Sequence, residues 1–316
     1  MVAGVSCAPS AGEQEPAQAP IRCIGFVGLG RMGLPMCRNL LRAGFVLKVF
    51  DTVPAKTDLL VAEGAQAATS PFDAATDADL VISMILDDAA LATVALADDG
   101  VLRGARRGAI YADMSTVSPT ASARVAAAAA QRGIAYLRAK VSGSVKPATD
   151  GTLTIFASGP LDAYQRCLPA FLALGKQATH VGDAEQAIYL KLVHSVMVGI
   201  TAAMVGEAFT FGQRGGADWG QMIEIVNHSA LGSAFLGYKA PLLAQRNYTT
   251  PQSTVDVAAK DIDLALSAAA EMHLPMPVTA LARELFRTMQ ANGEGGLDFI
   301  GIVKLFESLG GMAPRS

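Results

Sequence analysis

The segment that most restricts the fold of this chain is a short glycine-rich turn between an apolar strand and a helix. The residues from Ile21 to Gly28 read IRCIGFVG, a run that predicts a buried β-strand. Gly28, Gly30 and Gly33 follow in the spacing G-x-G-x-x-G, and a helical pattern continues from Met32 to about Ala43. The glycine pattern is weak alone, but its place between a strand and a helix is typical of a dinucleotide-binding βαβ unit.

Each glycine has its own physical task in such a unit. Gly28 permits the tight turn, Gly30 lets a pyrophosphate approach the backbone, and Gly33 lets the helix pack closely on the strand. The N–H groups at the start of the helix attract the phosphates. The cofactor contacts predicted from this turn are Gly28, Leu29, Gly30, Arg31, Met32 and Gly33. A glycine turn without a ligand is the alternative, and the coincidence of strand, glycines, helix and a following acidic strand end disfavours it.

The acidic residue at the end of the second strand is Asp51, 18 residues after Gly33. A carboxylate there accepts hydrogen bonds from the adenosine ribose hydroxyls and repels a 2′-phosphate. Arg22 and Lys48 lie in strands and do not obviously offset this repulsion. We therefore expect NAD as the cofactor, with NADP less favoured.

The order of the predicted elements divides the chain into two domains after a short tail. Strands alternate with helices over residues 21–183, which predicts an NAD-binding Rossmann domain of the α/β class with a mostly parallel sheet. Strand signals vanish over residues 184–316, which predicts an all-α substrate and dimerisation domain joined by a long interdomain helix. Residues 1–20 end in a stretch rich in Ala, Gln, Glu and Pro, and we expect a disordered tail.

Composition excludes several other classes of protein. Hydrophobic residues make up 51% of the chain and charged residues 17%, so a large core is available. The net charge of −3 and the lack of a basic block argue against a nucleic-acid partner. The four cysteines form no C-x-x-C pair, so we expect no metal site, no disulfide framework and a cytoplasmic location. The most apolar stretch contains Lys191 and His194, which favours a buried helix over a membrane span.

Beyond the glycine turn, several segments resemble the β-hydroxyacid dehydrogenase family, from about Ile24 to Phe306. They are GFVGLGRMGLPMCRNL (25–40), DMSTVSP (113–119), VSGSVKPATDGTLTIFASG (141–159), KDIDLAL (260–266) and GGLDF (295–299). The family includes 3-hydroxyisobutyrate dehydrogenase, tartronate semialdehyde reductase and glyoxylate/succinic semialdehyde reductases. The resemblance implies hydride transfer between NAD and a small 3-hydroxy acid or its semialdehyde, so we expect a carboxylate-bearing substrate.

Lys191 is the most informative single residue. It is the only Lys, Arg, Asp or Glu between Gln186 and Gly206, on a helix that is apolar nearly all round. Burying an unpaired ammonium group is costly, so a lysine there needs a reason. Alone, the pattern equally fits a buried stem whose charged end reaches water. Its position matches the catalytic lysine of the family, and the resemblance implies that it donates a proton in reduction and accepts one in oxidation.

The remaining predicted site residues follow strands or match the family segments. Ser115 and Thr116 follow a strand, where open α/β sheets bind ligands, although helix capping explains them equally well. The Ser-Gly-Ser turn offers hydroxyl and N–H groups that suit a carboxylate, or forms an ordinary turn. The predicted substrate contacts are Ser115, Ser142, Gly143, Ser144 and Ser195. The remaining predicted cofactor contacts are Ile85, Leu86, Thr116 and Lys260.

The chain departs from the family pattern at three places near the predicted site. Ser195 stands where the family has an Asn one turn after the lysine, and we interpret the neighbouring His194 as a packed, hydrogen-bonded helix residue. Arg138 and Lys140 stand in a segment where the family has Asp-Ala-Pro. These two cations either favour a more anionic substrate or face solvent. Ile300 replaces a family Ser, which further weakens any inference about the substrate.

Two other functions remain open, together with an oligomer. An imine reductase shares the fold, and a non-catalytic cofactor-binding protein is a third hypothesis. Lys191 argues against both, whereas Ser195 and His194 keep the non-catalytic hypothesis open.

The long apolar helix and the Ala-rich second domain predict a homodimer or tetramer, because a monomer would expose large apolar patches.

Overall fold

The computed structural model describes residues 20–312, so the tail predicted at residues 1–20 lies outside the described part apart from Pro20. The first part of the chain forms one eight-stranded sheet in the order β3-β2-β1-β4-β5-β6-β7-β8. The strands are β1 (Cys23–Val27), β2 (Val46–Phe50), β3 (Gln66–Ala67), β4 (Leu80–Ser83), β5 (Ile110–Asp113), β6 (Ala135–Ser142), β7 (Leu153–Ser158) and β8 (Gly175–His180).

The sheet is mostly parallel, as the alternation of elements predicts. Only the pair β6 and β7 is antiparallel among the described strands, and every residue of β4 and β5 is buried. The strand order reverses between β1 and β4, and such a reversal opens a crevice at the carboxyl ends of the strands. Local patterning predicts the last strand only over residues 179–181, but β8 begins at Gly175. Its first half is mostly exposed and lacks an apolar pattern, so the sequence does not reveal it.

Helices cover both faces of this sheet. They are α1 (Gly33–Arg42), α2 (Pro54–Val61), α3 (Pro71–Ala75), α4 (Asp88–Leu96), α5 (Val101–Gly104), α6 (Pro119–Gln131), α7 (Val145–Asp150) and α8 (Leu161–Leu174). The short helix α7 interrupts the segment 141–159, which resembles the family's substrate loop and is called the substrate loop below. Helices α1 and α8 pack on the same side of the sheet, around Met36, Leu40 and Phe171. The predicted Rossmann architecture is confirmed.

Helices alone make up the second part of the described chain. They are α9 (Gln186–Arg214), α10 (Trp219–His228), α11 (Ala234–Gln245), α12 (Val255–Glu271), α13 (Pro277–Ala291) and α14 (Ile302–Leu309). The sequence pattern predicts one helix from Phe299 to Leu309, but residues 299–301 form a 3₁₀ turn. The turn arises because the buried Asp298 carboxylate accepts a hydrogen bond from the N–H of Ile300 and pairs with the buried Lys239 ammonium at 2.7 Å.

The long helix α9 joins the two parts. By length and composition it is the one helix of the described residues that is apolar enough to cross a membrane. In this structure it packs on β6 and on α12, α13 and α14, and two of its glycines permit close approach. A Cβ on Gly199 would lie 2.6 Å from the Ile262 side chain, and one on Gly206 would lie 2.6 Å from the Phe306 ring. The packing is that of a core helix between two domains.

Candidate active site

The glycine turn at the end of β1 has the geometry that a dinucleotide site requires. Gly28 has φ +97°, and a Cβ there would lie 2.4 Å from the carbonyl oxygen of Met84. A Cβ on Gly33 would lie 1.9 Å from the carbonyl oxygen of Gly28, so only glycine fits. A Cβ on Gly30 would meet nothing within 4 Å. Two glycines therefore serve the packing of strand and helix, and Gly30 faces the open space that a pyrophosphate would occupy.

The other residues of the turn surround that space in different ways. Leu29 is buried, and Met32 begins α1 without a side-chain cap, which leaves the start of the helix to attract phosphate. Arg31 is exposed, and its guanidinium donates a hydrogen bond to the carbonyl of Pro251 in the segment before α12. The glycine turn therefore touches the helical domain through Arg31.

Asp51 lies at the end of β2, beside the glycine turn. Its Oδ2 accepts a hydrogen bond from the N–H of Leu29 at 2.7 Å, and its Oδ1 accepts one from the N–H of Val53 at 2.9 Å. The ammonium of Lys56 lies 3.2 Å from the same Oδ1. Sequence reasoning missed Lys56, because Lys56 lies in α2 and not at the end of a strand. Only the turn into α2 brings its ammonium close to the Asp51 carboxylate.

The loops after β4 and β5 meet beside this crevice. The Ser115 hydroxyl is buried and accepts a hydrogen bond from the N–H of Ile85 at 2.9 Å, so it joins the two loops. Leu86 is 64% exposed. Thr116 is half-buried, and its carbonyl accepts a hydrogen bond from Lys260. The helix cap that sequence left open for this segment belongs to Ser118, whose hydroxyl accepts from the N–H of Ala121.

A buried ionic network lies directly beneath these loops. The Lys140 ammonium is 1% exposed and donates to the Asp113 carboxylate at 2.6 Å and to the Ser115 carbonyl at 2.7 Å. Asp113 also accepts from the Ser83 hydroxyl at 2.9 Å. Burial lowers the pKa of Lys140, and the Asp113 charge opposes that shift. Lys140 therefore holds the loop after β5 in place.

Neither interpretation of the two unusual cations in β6 is correct. Arg138 is 6% exposed and pairs with the Glu185 carboxylate at the start of α9, while its guanidinium lies 4.9 Å from the centre of the Tyr136 ring. Lys140 is committed to Asp113. Both side chains are buried and paired, so they neither face solvent nor offer a free charge to a substrate. They act as ties between the sheet, the loop after β5 and α9.

Lys191 reaches the end of β6 from the first turns of α9. The side chain is half-buried, and its ammonium donates a hydrogen bond to the Val141 carbonyl at 3.1 Å. Burial lowers the pKa of Lys191, and the positive charges of Lys260 and Lys140 lower it further. Asp261 partly offsets these shifts. The arrangement places the Lys191 ammonium at the edge of the substrate loop. Its lowered pKa means that it releases its proton more readily than a solvated lysine does.

Asp261 is a site residue that sequence reasoning passed over. It lies on α12, where its Oδ2 accepts a hydrogen bond from the Ser195 hydroxyl at 3.1 Å and its Oδ1 lies 2.9 Å from the Lys260 ammonium. Ser195 is 8% exposed and is thus turned towards α12. The signal was present in the KDIDLAL segment, but an Asp beside a Lys is ordinary on a helix, and only packing of α12 on α9 makes it a partner of the site.

The substrate loop lies against α9 through a second contact. Ser142 is half-buried, Gly143 is exposed with φ +133°, and Ser144 begins α7 without a side-chain cap. The Ser142 hydroxyl lies 3.2 Å from Nε2 of His194. The interpretation of His194 as a packed residue is wrong, because the residue is exposed; the hydrogen bond is present, but it joins the ring to the substrate loop.

The crevice therefore defines a two-domain protein with a nucleotide-binding turn on one side and a lysine from the interdomain helix on the other. The model of the NAD-binding domain of 6-phosphogluconate dehydrogenase matches residues 23–182. The model for NAD-binding of NADP-dependent 3-hydroxyisobutyrate dehydrogenase matches residues 186–306.

Individual relatives give the same result. The chain is 33% identical to 2-(hydroxymethyl)glutarate dehydrogenase of Eubacterium barkeri over 92% of this chain and 96% of that protein. It is 35% identical to NAD-dependent L-serine dehydrogenase of Pseudomonas aeruginosa over 90% and 97%. A crystal structure of 3-hydroxyisobutyrate dehydrogenase from Salmonella typhimurium aligns with a TM-score of 0.81 at 29% identity, covering 90% of this chain and 100% of that one.

The chain belongs to the β-hydroxyacid dehydrogenase family. The prediction of an NAD(P)-dependent oxidoreductase built on a Rossmann domain is confirmed at that level.

The glycine geometry predicts opposite consequences for two Gly→Ala changes. Gly33→Ala places a Cβ against the Gly28 carbonyl and lowers the melting temperature, because strand and helix must separate. Gly30→Ala leaves the melting temperature of the cofactor-free protein within about 2 °C of wild type, since the Cβ meets no atom within 4 Å. It weakens nicotinamide dinucleotide binding at least about tenfold by occupying the approach of the pyrophosphate. Calorimetric melting and cofactor titration measure both; tight binding by Gly30→Ala would contradict the assignment.

Proposed function

We propose that this enzyme interconverts a small acid of the form HOCH₂–CH(R)–COO⁻ and its semialdehyde. Serine, 3-hydroxyisobutyrate and 2-(hydroxymethyl)glutarate, named in the relatives, all have this skeleton and differ only in the group R. The observation that carries the proposal is the place of Lys191. Its ammonium sits at the end of β6, beside the loop that follows Val141, on a helix stretch with no other Lys, Arg, Asp or Glu between Gln186 and Gly206.

Lys191 performs the proton transfer in this proposal. A nicotinamide dinucleotide, when bound, supplies or accepts the hydride. In reduction the Lys191 ammonium donates its proton to the carbonyl oxygen of the semialdehyde, and in oxidation the neutral amine accepts the proton of the alcohol. Burial lowers the pKa of Lys191, which makes exchange of its proton easier than for a solvated lysine. Asp261 and Lys260 set the local field around that ammonium.

The substrate carboxylate binds at the Ser142–Ser144 turn in this proposal. Hydroxyl and backbone N–H groups at an exposed glycine turn are suitable donors for a carboxylate. The turn begins one residue after Val141, whose carbonyl holds the Lys191 ammonium. The donors for the carboxylate and the donor for the reacting oxygen therefore lie side by side at the end of β6, which fixes the orientation of a three-carbon acid.

Replacing Lys191 tests the assignment directly. We expect Lys191→Ala to lower kcat by a factor of about 10² to 10⁴, the usual contribution of a positioned proton donor. Wild-type oxidation rises with pH through the Lys191 pKa, which burial places below 10.5, and reduction falls through the same pKa. Both pH limbs are lost in the variant. Lys176→Ala, which removes an exposed lysine from β8, is the control and keeps both limbs. Unchanged pH profiles in Lys191→Ala would refute the role.

We propose NAD as the preferred cofactor. The support is Asp51, whose carboxylate closes the end of β2 beside the glycine turn and would repel a 2′-phosphate. Lys56 reduces that repulsion through its contact with the same carboxylate. Selectivity between NAD and NADP therefore depends on the balance between the negative charge of Asp51 and the positive charge of Lys56.

Opposite substitutions separate the two charges. Asp51→Asn keeps an oxygen for the N–H of Leu29 but removes the negative charge, and we expect kcat/KM with NADP relative to NAD to rise about tenfold, or roughly 1.4 kcal/mol. Lys56→Gln shifts the same ratio in the other direction. Both ratios come from initial rates with the two cofactors run side by side. A wild-type preference for NADP would sink the proposal.

We also propose that the enzyme self-associates through the helical domain. Apolar residues along the free side of α9 are exposed, including Val193, Met197 and Phe211, the last at 83%. A groove of about 530 Å³ continues this surface to Leu281 of α13. A water-exposed apolar surface of this extent is typical of a protein interface.

Light scattering after size exclusion tests the assembly. We expect a dimer or tetramer at micromolar concentration for the wild type, and a smaller species for Phe211→Asp, because a charge in an apolar interface opposes burial. Leu59→Asp is the matched control, since Leu59 is a half-exposed leucine on α2 of the Rossmann domain. A monomeric wild type would refute the proposal.

A further inference from the structure

The contact between His194 and Ser142 is the one hydrogen bond from a side chain of α9 to the side chains of the described substrate loop. Lys191, one turn earlier, bonds to a backbone carbonyl, and the Ser195 hydroxyl turns away to Asp261. His194 is exposed, so its ring borders the space above the loop and is not enclosed in the core. The proton-transfer scheme proposed for Lys191 gives this histidine no task.

A role for His194 follows from the chemistry of a serine hydroxyl that lies between a carboxylate and an imidazole. A serine hydroxyl has one hydrogen to donate and two lone pairs with which to accept. If Ser142 donates its hydrogen to Nε2 of His194, it has none left for a carboxylate. If Nε2 carries the hydrogen and donates it to Ser142 Oγ, the serine hydrogen is free. The tautomer of His194 thus decides whether Ser142 presents a donor or a lone pair to the substrate.

We propose that His194 is a positioning residue for substrate recognition: its Nε2–H donates to Ser142 Oγ and so directs the Ser142 hydrogen at the substrate carboxylate. The inference rests on the proposed function in one respect, the placing of the carboxylate at this turn. The substrate class it selects is an anion, because a neutral amide or ester in the same place would gain less from a charge-assisted donor.

The charges around His194 fit this role. The groups that act on its titration are Lys191 on its own helix and Asp261 on α12. Partial burial and the neighbouring Lys191 lower the pKa of His194, and Asp261 opposes them. The lowered pKa favours the neutral ring, in which one nitrogen carries hydrogen at a time. A bound carboxylate favours the tautomer with hydrogen on Nε2, since only that form leaves a donor facing the negative charge.

Binding of isobutyrate to the enzyme loaded with NADH tests the inference without turnover. Isobutyrate carries the carboxylate of the proposed substrates and lacks the hydroxyl on which Lys191 acts. We expect His194→Phe to weaken isobutyrate binding about tenfold in calorimetric titration, the effect of losing one charge-assisted hydrogen bond. His194→Gln, whose amide N–H can replace Nε2–H as donor, should recover most of that loss. Both variants should keep the wild-type melting temperature, because the residue is exposed.

Combining the histidine change with Ser142→Ala separates action through the serine from direct contact. We expect His194→Phe to have no further effect once Ser142 is alanine, and 3-hydroxyisobutyrate turnover by His194→Phe to show raised KM with kcat nearly unchanged. Additive losses in the double variant, unaltered isobutyrate affinity in His194→Phe, or no isobutyrate binding by the wild type would each overturn the inference. Ser142-dependent binding of isobutyrate without any turnover would refute the proposed reaction and support this inference.

Discussion

The anchoring of α9 to the end of the sheet is the constraint on which the site depends. At its start, Glu185 pairs with the buried Arg138 of β6, and the Ser158 hydroxyl of β7 accepts from the N–H of Ala187. These contacts fix the first turns of the helix against two strands. The sheet holds α9 at its start, and α12 and α14 hold it along its length. The helix can therefore place a lysine of the helical domain at the edge of the Rossmann domain. A buried ion pair contributes little net stability, but removal of one partner leaves a costly charge, so the pair fixes position.

The second consequence of this arrangement is the choice of charges near the crevice. Asp113 and Lys140 neutralise each other beneath the loops, and Asp261 balances Lys260 from the side of α12. Unlike Lys140 and Lys260, Lys191 contacts only a carbonyl within hydrogen-bond distance. Its ammonium is therefore less stabilised by a direct partner than those of Lys140 and Lys260, which suits proton transfer. The like-charged neighbours Lys140 and Lys260 act on it in the same direction as burial.

Much of the fold could be read from local patterns. The glycine turn, the buried strands β1, β4 and β5, and the change to helices after β8 all follow from periodicity, glycine spacing and the family segments. Elements whose local pattern is ambiguous could not be predicted, among them α11, which contains Gly237 and Pro241. The first half of β8 could not be predicted either, because an exposed edge strand needs no apolar alternation.

The sequence by itself determined that a Rossmann domain with a dinucleotide-type glycine turn is followed by a helical domain, because glycine spacing and apolar periodicity are local properties of the chain. Only the tertiary structure decided the partners of the charged and polar side chains. It buried Arg138 and Lys140 in ion pairs, turned Ser195 towards Asp261, and set His194 against Ser142. In each case the two partners are more than 25 residues apart in the sequence. The energy of an ionic or hydrogen-bonding group depends on the groups that surround it. A single stretch of sequence does not specify those surroundings.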